Sequence, residues 1–132
     1  MPHVEFVGPR FDADLSREYA ACDCLALVSH TENFGATVVD ALAHGKPVIT
    51  SAKTPWKVVQ EKGCGWWVEN DVETLCGTLR EMMALSENDR CEMGHMGCTL
   101  VEASYSWEAV GQALLTAYGK TVGQNRSYPV IS

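Results

Sequence analysis

Glu32 and Asp40 stand eight residues apart in the stretch HTENFGATVVDALAHGKPVIT, residues 30–50. Glu32 lies just ahead of an Asn-Phe-Gly turn, and Asp40 lies inside ATVVDALAHG, whose spacing predicts a helix. A helix start carries N–H groups without intrahelical acceptors, here those of Gly35, Ala36, Thr37 and Val38. Such a start favours an anion, and a phosphate or pyrophosphate is the natural guest. A carboxylate beside a phosphate is unfavourable unless it serves another group. Carboxylates accept charge-assisted hydrogen bonds from vicinal hydroxyls. Two acids flanking one phosphate cradle therefore suit a ribose on one side and a hexose on the other, the layout of a nucleotide sugar. On spacing alone a plainer alternative stays open: Glu32 favours the helix dipole and Asp40 is a solvated helix residue.

The elements that must position these residues follow from the apolar pattern. VEFVG (4–8), CLALVS (24–29), PVITS (47–51) and GWWVE (65–69) read as strands. They are nearly continuous in apolar residues, as strands covered on both faces are. Segments of helical period lie between them, at about 12–22, 35–44 and 54–62. Strand–helix alternation predicts a Rossmann-like α/β fold, a parallel sheet of about four strands with flanking helices. The opening stretch then places a helix start at the carboxyl end of a strand, where open α/β sheets bind ligands. Gly45 ends that helix, with Lys46 set to complement its C-terminal pole. In 54–62, Thr54 is the expected cap and Pro55 the first helical residue. Three further helices are expected at 71–85, 87–104 and 107–119, capped by Asp71, Ser86 and Ser106. Met82, Met83, Leu85, Leu100, Val101, Leu114 and Leu115 are expected to face the core. Residues 1–120 form one domain in this reading, and 121–132 a tail or former linker.

Composition narrows the function classes. The 132 residues are 46% hydrophobic and 20% charged, as in an ordinary globular domain, and the formal net charge of −7 argues against nonspecific nucleic-acid or anionic-lipid binding. The six cysteines, Cys22, Cys24, Cys64, Cys76, Cys91 and Cys98, form no CxxC pair and no Cys/His cluster of zinc type. They read as reduced, mostly buried thiols of a cytoplasmic protein. No apolar stretch approaches the ~20 residues of a membrane span. Neither a metal nor a cofactor is expected, and no G-x-S-x-G elbow is present.

Ser29, Glu32, Phe34, Gly35, Asp40, Ala41, Ala43, Gly45, Pro47 and Val48 together resemble a family motif, Ser-x-x-Glu-x-Phe-Gly followed by a second acid eight residues after the Glu and Ala-x-Ala-x-Gly-x-Pro-Val. The family is that of the retaining glycosyltransferases of family 4, and the resemblance is to their C-terminal, donor-binding domain in the GT-B fold. It runs over residues 3–120, and TPWKVVQEKGCGWWV further resembles members that build bacterial surface polysaccharides. The resemblance implies a donor site for a nucleotide-diphosphate sugar. Glu32 would be the catalytic-site acid that holds donor-sugar hydroxyls. Backbone at Phe34 and Gly35 would face the sugar. Amides of Ala36, Thr37 and Val38 would face the pyrophosphate, and Asp40 the ribose. Residues 8–10, with Gly8 and Arg10, would lie where the base rests.

Two departures from the pattern matter. The second acid is usually Glu; Asp40 is shorter by about one ~1.5 Å bond, so its contact to ribose is weakened or water-bridged. The Arg and Lys that neutralise the diphosphate, and the acceptor-binding N-terminal domain, have no counterpart in these residues. The chain alone is therefore expected to bind nucleotide weakly and to transfer nothing, with Arg10 and Lys53 the candidate stand-ins. A missing domain or partner chain is implied. If VEFVG and CLALVS are the family's third and fourth strands, those between them are absent, and self-association through that edge is expected. Peripheral membrane contact stays open for the parent enzyme. Two alternatives remain: a sugar-nucleotide epimerase of the same fold, for which His30 and His44 are the nearby acid–base groups, and a non-catalytic module associating through the sheet edge.

Overall fold

A computed structural model of the chain describes residues 3–124. Among them the elements run α1 (Asp12–Ala21), β1 (Leu25–Leu27), α2 (Ala36–Ala43), β2 (Val48–Ser51), α3 (Lys57–Glu61), β3 (Gly65–Val68), α4 (Val72–Ala84), α5 (Glu87–Ser104) and α6 (Trp107–Gln124). The sheet is parallel in the order β1-β2-β3, with Leu25 beside Val48 and Val48 beside Gly65. This is the expected α/β architecture. All four residues of β2 are buried, as befits a central strand.

One sheet face carries Leu25, Leu27 and Val48, and it packs against Val38, Ala41 and Leu42 of α2, Val59 of α3 and Leu100 of α5. Val38, Ala41 and Leu42 follow i, i+3, i+4 spacing, so one stripe of α2 is wholly buried. Glycines let α5 approach. A Cβ on Gly94 would lie 2.0 Å from the Gly45 carbonyl oxygen, and one on Gly97 would lie 2.8 Å from Leu42 Cδ2. The other face is covered at β3 by α4, where the Trp66 indole N–H donates to Glu81 at 3.1 Å and Thr78 and Met82 are buried. Helix α2 stops as its sequence requires. Gly45 is left-handed at φ 67°, its N–H donates to Leu42 O at 3.0 Å, and Lys46 N–H donates to Ala41 O at 2.9 Å, the paired bonds of a Schellman end. The three expected caps form, since Asp71, Ser86 and Ser106 accept from the amides of Thr74, Asp89 and Ala109.

Several expectations need correction. The sheet has three strands among the described residues, not four, because 4–8 carry no strand. Val4, Phe6 and Val7 are exposed, Phe6 by 96%, and no neighbouring strand pairs with them. β-favouring side chains do not make a strand without a ladder partner, and VEFVG does not pair with β1. Helix α3 begins at Lys57 with Trp56 at its N-cap, because the Thr54 hydroxyl donates to Ser51 O at 2.8 Å instead of capping. Lys46 serves α1 rather than α2, its ammonium donating to Ala20 O at 3.0 Å. Met83, Leu114 and Leu115 are exposed rather than buried, since they lie off the packed stripes of α4 and α6. Helix α6 continues through Gln124, so residues 121–124 of the expected tail are helical, and 125–132 lie outside the described residues. Of the cysteines only Cys64 is buried; Cys22, Cys24 and Cys98 are half-buried, and Cys76 and Cys91 are exposed. No helix among the described residues is long and apolar enough to cross a membrane.

Candidate functional site

The loop from Val28 to Gly35 leaves the carboxyl end of β1 and enters α2. Three of its carbonyls are held from outside. Asn70, after β3, donates to Val28 O at 3.2 Å. Ser51, at the end of β2, donates to Ser29 O at 2.5 Å. The Trp56 indole N–H, from the β2–α3 connection, donates to Phe34 O. These clamps fix in place a loop with few backbone partners of its own. Asn70 also approaches His30 Nδ1 at 3.3 Å.

The loop turns at Gly35, which sits at φ 79°, ψ 65° as the N-cap of α2. An L-residue is strained there. Space is closed as well, because a Cβ would lie 3.0 Å from Leu27 Cδ2, 3.2 Å from Trp56 Nε1 and 3.3 Å from Glu32 Cγ. Among the described residues no protein acceptor takes the amides of Gly35, Ala36 and Thr37. Val38 departs from the expectation. Its N–H donates to Gly35 O at 2.9 Å and its side chain is fully buried, so its amide is not free for an anion.

Glu32 packs against this turn, and Asp40 stands one helical turn into α2. Neither carboxylate has a salt-bridge partner among the described residues. A cleft of about 260 Å³ opens beside the helix start, lined by Phe34, Ala36, Val39, Asp40, Tyr105 and Trp107. Behind it the rings of Phe34, Trp56 and Tyr105 pack with centroids 5.3–6.0 Å apart. On the other flank of α2, buried Tyr19 stacks on His44 with centroids 5.1 Å apart. Burial, and secondarily the Asp40 and Cys22 charges, push the Tyr19 hydroxyl above its ordinary pKa. His44 Nδ1 lies 2.7 Å from Asp40 O at the end of α2, which engages it locally.

Among the described residues no hydrogen bond or ion pair joins residues 8–10 to this group. Gly8 is left-handed at φ 69° with open space around it, and Arg10 pairs with Glu18 at 2.9 Å. Lys53 is exposed. Among the described residues no three His, Cys, Asp or Glu side chains gather as a metal site. Sequence reasoning missed Ser51, Asn70, Trp56 and Tyr105. The signal for Trp56 was a large aromatic straight after Thr-Pro, where a solvent-facing helix start called for a polar residue.

The family model for glycosyl transferases group 1 matches residues 1–97. The chain belongs to this family. The D-inositol 3-phosphate glycosyltransferase of Mycolicibacterium gilvum is 30% identical over 128 residues, and that of Mycobacterium tuberculosis strain H37Ra is 28% identical over 123. The first match takes in 94% of this chain but only 28% of that relative. Among solved structures, sucrose-phosphate synthase from Thermosynechococcus elongatus superposes with TM-score 0.79 at 26% identity, over 94% of this chain and 31% of that one. The C-terminal domain of a glycosyl transferase group 1 protein from Francisella tularensis gives TM-score 0.64 at 24% identity, over 77% of this chain and 53% of that one. A group 1 member whose resemblance lies in the C-terminal domain is what the motif around Glu32 and Asp40 implied.

Proposed function

We propose that this chain is the donor-binding part of a glycosyltransferase that moves a sugar from a nucleotide-diphosphate sugar to an acceptor with retention of configuration. One observation carries the assignment: an externally clamped, left-handed turn at Gly35 opens α2 at the carboxyl end of β1, with unpaired amides on Gly35, Ala36 and Thr37 and, among the described residues, unpaired acids on both sides. The amides take the diphosphate, where the helix start favours negative charge. Glu32 accepts from donor-sugar hydroxyls and is the site acid nearest the transferring carbon. Asp40 accepts from the ribose. The leaving diphosphate needs positive charge beyond the amides; Arg10 is engaged by Glu18, and among the described residues no hydrogen bond or ion pair ties the exposed Lys53 to the turn. Transfer therefore belongs to the parent enzyme, in the cytoplasm, with a further domain or partner chain supplying the basic residues and the acceptor site. The chain alone is inactive.

Bacterial surface polysaccharide or glycan synthesis is the setting, on the TPWKVVQEKGCGWWV segment. The relatives' names add a phosphorylated polyol as one acceptor class to assay. Amide NMR of the chain with UDP, GDP, ADP and their sugars tests the site. Shifts centred on Gly35, Ala36 and Thr37, weakened by Asp40→Asn and, for the sugar nucleotides, by Glu32→Gln, are expected. Shifts elsewhere with these amides unmoved would refute it. Self-association through the free edge of β1 is a second part of the proposal, and a strictly monomeric species in sedimentation at high concentration would dismiss it.

A further inference from the structure

We infer that Trp56 is a positioning residue of the donor site, holding the Phe34–Gly35 peptide so that the amides of the turn face outward; the role rests on the donor-site assignment above. Trp56 is 1% exposed and is among the largest fully buried side chains. Its one polar atom needs an acceptor, since burying an unpaired indole N–H is costly. It takes the Phe34 carbonyl, across 22 residues of sequence. The consequence follows from peptide geometry. No cis peptide bond is present among the described residues, and in a planar trans peptide C=O and N–H point in opposite directions. Drawing the Phe34 C=O inward to the indole turns the Gly35 N–H outward. Gly35 then reverses the chain at φ 79°, and Ala36 and Thr37 present the next two amides. Rotation of that one peptide plane would bury the Gly35 N–H and leave a carbonyl oxygen, which repels a phosphate.

Trp56 is itself held from several sides. Phe34 and Tyr105 pack against the ring at 5.4 and 5.3 Å. The preceding Thr54 is fixed by its hydroxyl on Ser51 O at 2.8 Å and by the Trp67 indole N–H on its carbonyl at 3.1 Å. The ring also fills the space behind Gly35, at 3.2 Å from where a Cβ would stand. The same side chain thus sets the direction of the peptide and, with Leu27, crowds any Cβ placed at the reversal. Nothing ties this to core packing alone, since a Phe of similar shape would fill most of the volume without holding the carbonyl.

Trp56→Phe separates the two roles, with Trp66→Phe as the control. The Trp66 indole donates to Glu81 of α4, away from the turn. In the ligand-free full chain, amide exchange at Val38, whose N–H depends on the Gly35 carbonyl, is expected to quicken about tenfold in Trp56→Phe. The core amides of Leu42 and Val59 change much less. Titration with UDP is expected to show binding about tenfold weaker, while Trp66→Phe matches the wild type in both readouts. Unchanged exchange at Val38 and an unshifted Gly35 resonance in Trp56→Phe overturn the positioning role whatever UDP does. A wild-type chain silent to millimolar UDP, GDP and ADP overturns the donor-site assignment, and exchange alone then decides what Trp56 holds. If Trp56→Phe does not fold, the wild-type indole resonances serve. The buried Trp56 N–H must shift on saturation with UDP while that of Trp66 stays still, and an unmoved Trp56 resonance alongside shifted Gly35 and Ala36 amides refutes the proposal.

Discussion

Replacing Gly35 by Ala puts the turn under two separate loads. The first is conformational. At φ 79° an L-residue is in the left-handed region, which costs roughly 1–2 kcal/mol. The second is steric. The new methyl would stand 3.0 Å from Leu27 Cδ2 and 3.2 Å from Trp56 Nε1, tighter than ordinary contact by a few tenths of an ångström. Both neighbours are packed, so the strain resembles overpacking of a core, about 1–3 kcal/mol. A total near ~3 kcal/mol lowers Tm by roughly 10 °C in a chain of this size. Gly63→Ala isolates the first load, since Gly63 has φ 68° and nothing lies within 4 Å of where its methyl would stand; it should cost only about 1–2 kcal/mol. Thermal and urea unfolding of the two variants side by side give the difference. If Gly35→Ala costs no more than Gly63→Ala, the close contact of Trp56 and Leu27 with the turn is wrong.

Gly94→Ala should be worse, because its methyl meets the backbone oxygen of Gly45 at 2.0 Å, which no side-chain rotation relieves; a loss of about 3 kcal/mol or failure to fold is expected, and a neutral result in urea unfolding would refute the α5–α2 approach. Asp71→Asn should lower stability at neutral pH and converge with the wild type in acid. The Thr74 amide and hydroxyl hold the Asp71 carboxyl below its ordinary pKa, so its contribution is present above that ordinary value and is lost as pH falls through the folded one; curves of Tm against pH that stay parallel would contradict this. Burial pushes the Cys64 thiol up to about 11 and the Cys24 thiol up to about 12. Both keep their protons in the folded chain after the unfolded chain has lost them, so stability is full below the ordinary thiol value of 9.0 and falls as pH rises toward 11. A urea midpoint that stays flat across that range would count against it. At neutral pH, iodoacetamide should label exposed Cys76 and Cys91 first and Cys64 last, read by mass spectrometry of digests.

The sheet and the helix order were legible because they rest on local pattern. Apolar runs at 24–29, 47–51 and 65–69 hold the three strands, and Asp71, Ser86 and Ser106 cap the helices they precede. The helix start between Glu32 and Asp40 was legible from Phe34-Gly35 and the apolar spacing of Val38, Ala41 and Leu42. What was not legible depends on partners far away in sequence. VEFVG has the side chains of a strand, but composition does not say whether a neighbour exists to accept its hydrogen bonds. Ser51, Trp56 and Asn70 reach carbonyls 22 to 42 residues away, and such bonds leave no periodicity behind. The Val38 amide, expected to be open, closes a tight turn onto Gly35 O, a bond that the apolar spacing does not reveal.

Most of the unpartnered apolar surface lies ahead of α1 and along α6, and one of its residues, Trp107, also lines the cleft beside the clamped loop. Strand β1 keeps Leu25 and Leu27 against the core but leaves Ala26 exposed on the other face, unlike the fully buried β2. Phe6 and Phe11 are exposed ahead of α1, and along α6 so are Trp107, Leu114, Leu115, Tyr118 and Val122. The clamps at Val28, Ser29 and Phe34 come from β2 and from the connections after β2 and β3, all within the packed half of the molecule. The clamps and the exposed apolar face therefore draw on different residues. The geometry of the turn is set by contacts this chain already contains, so the turn is pre-organised whether or not anything covers the open edge. Binding strength is another matter, because Glu32 and Asp40 bring negative charge to the turn and, among the described residues, no lysine or arginine pairs with either. Pre-organised amides without added positive charge make a site that selects the shape of its ligand more than it holds it. Under the donor-site proposal, that is the behaviour expected where further positive charge comes from another surface.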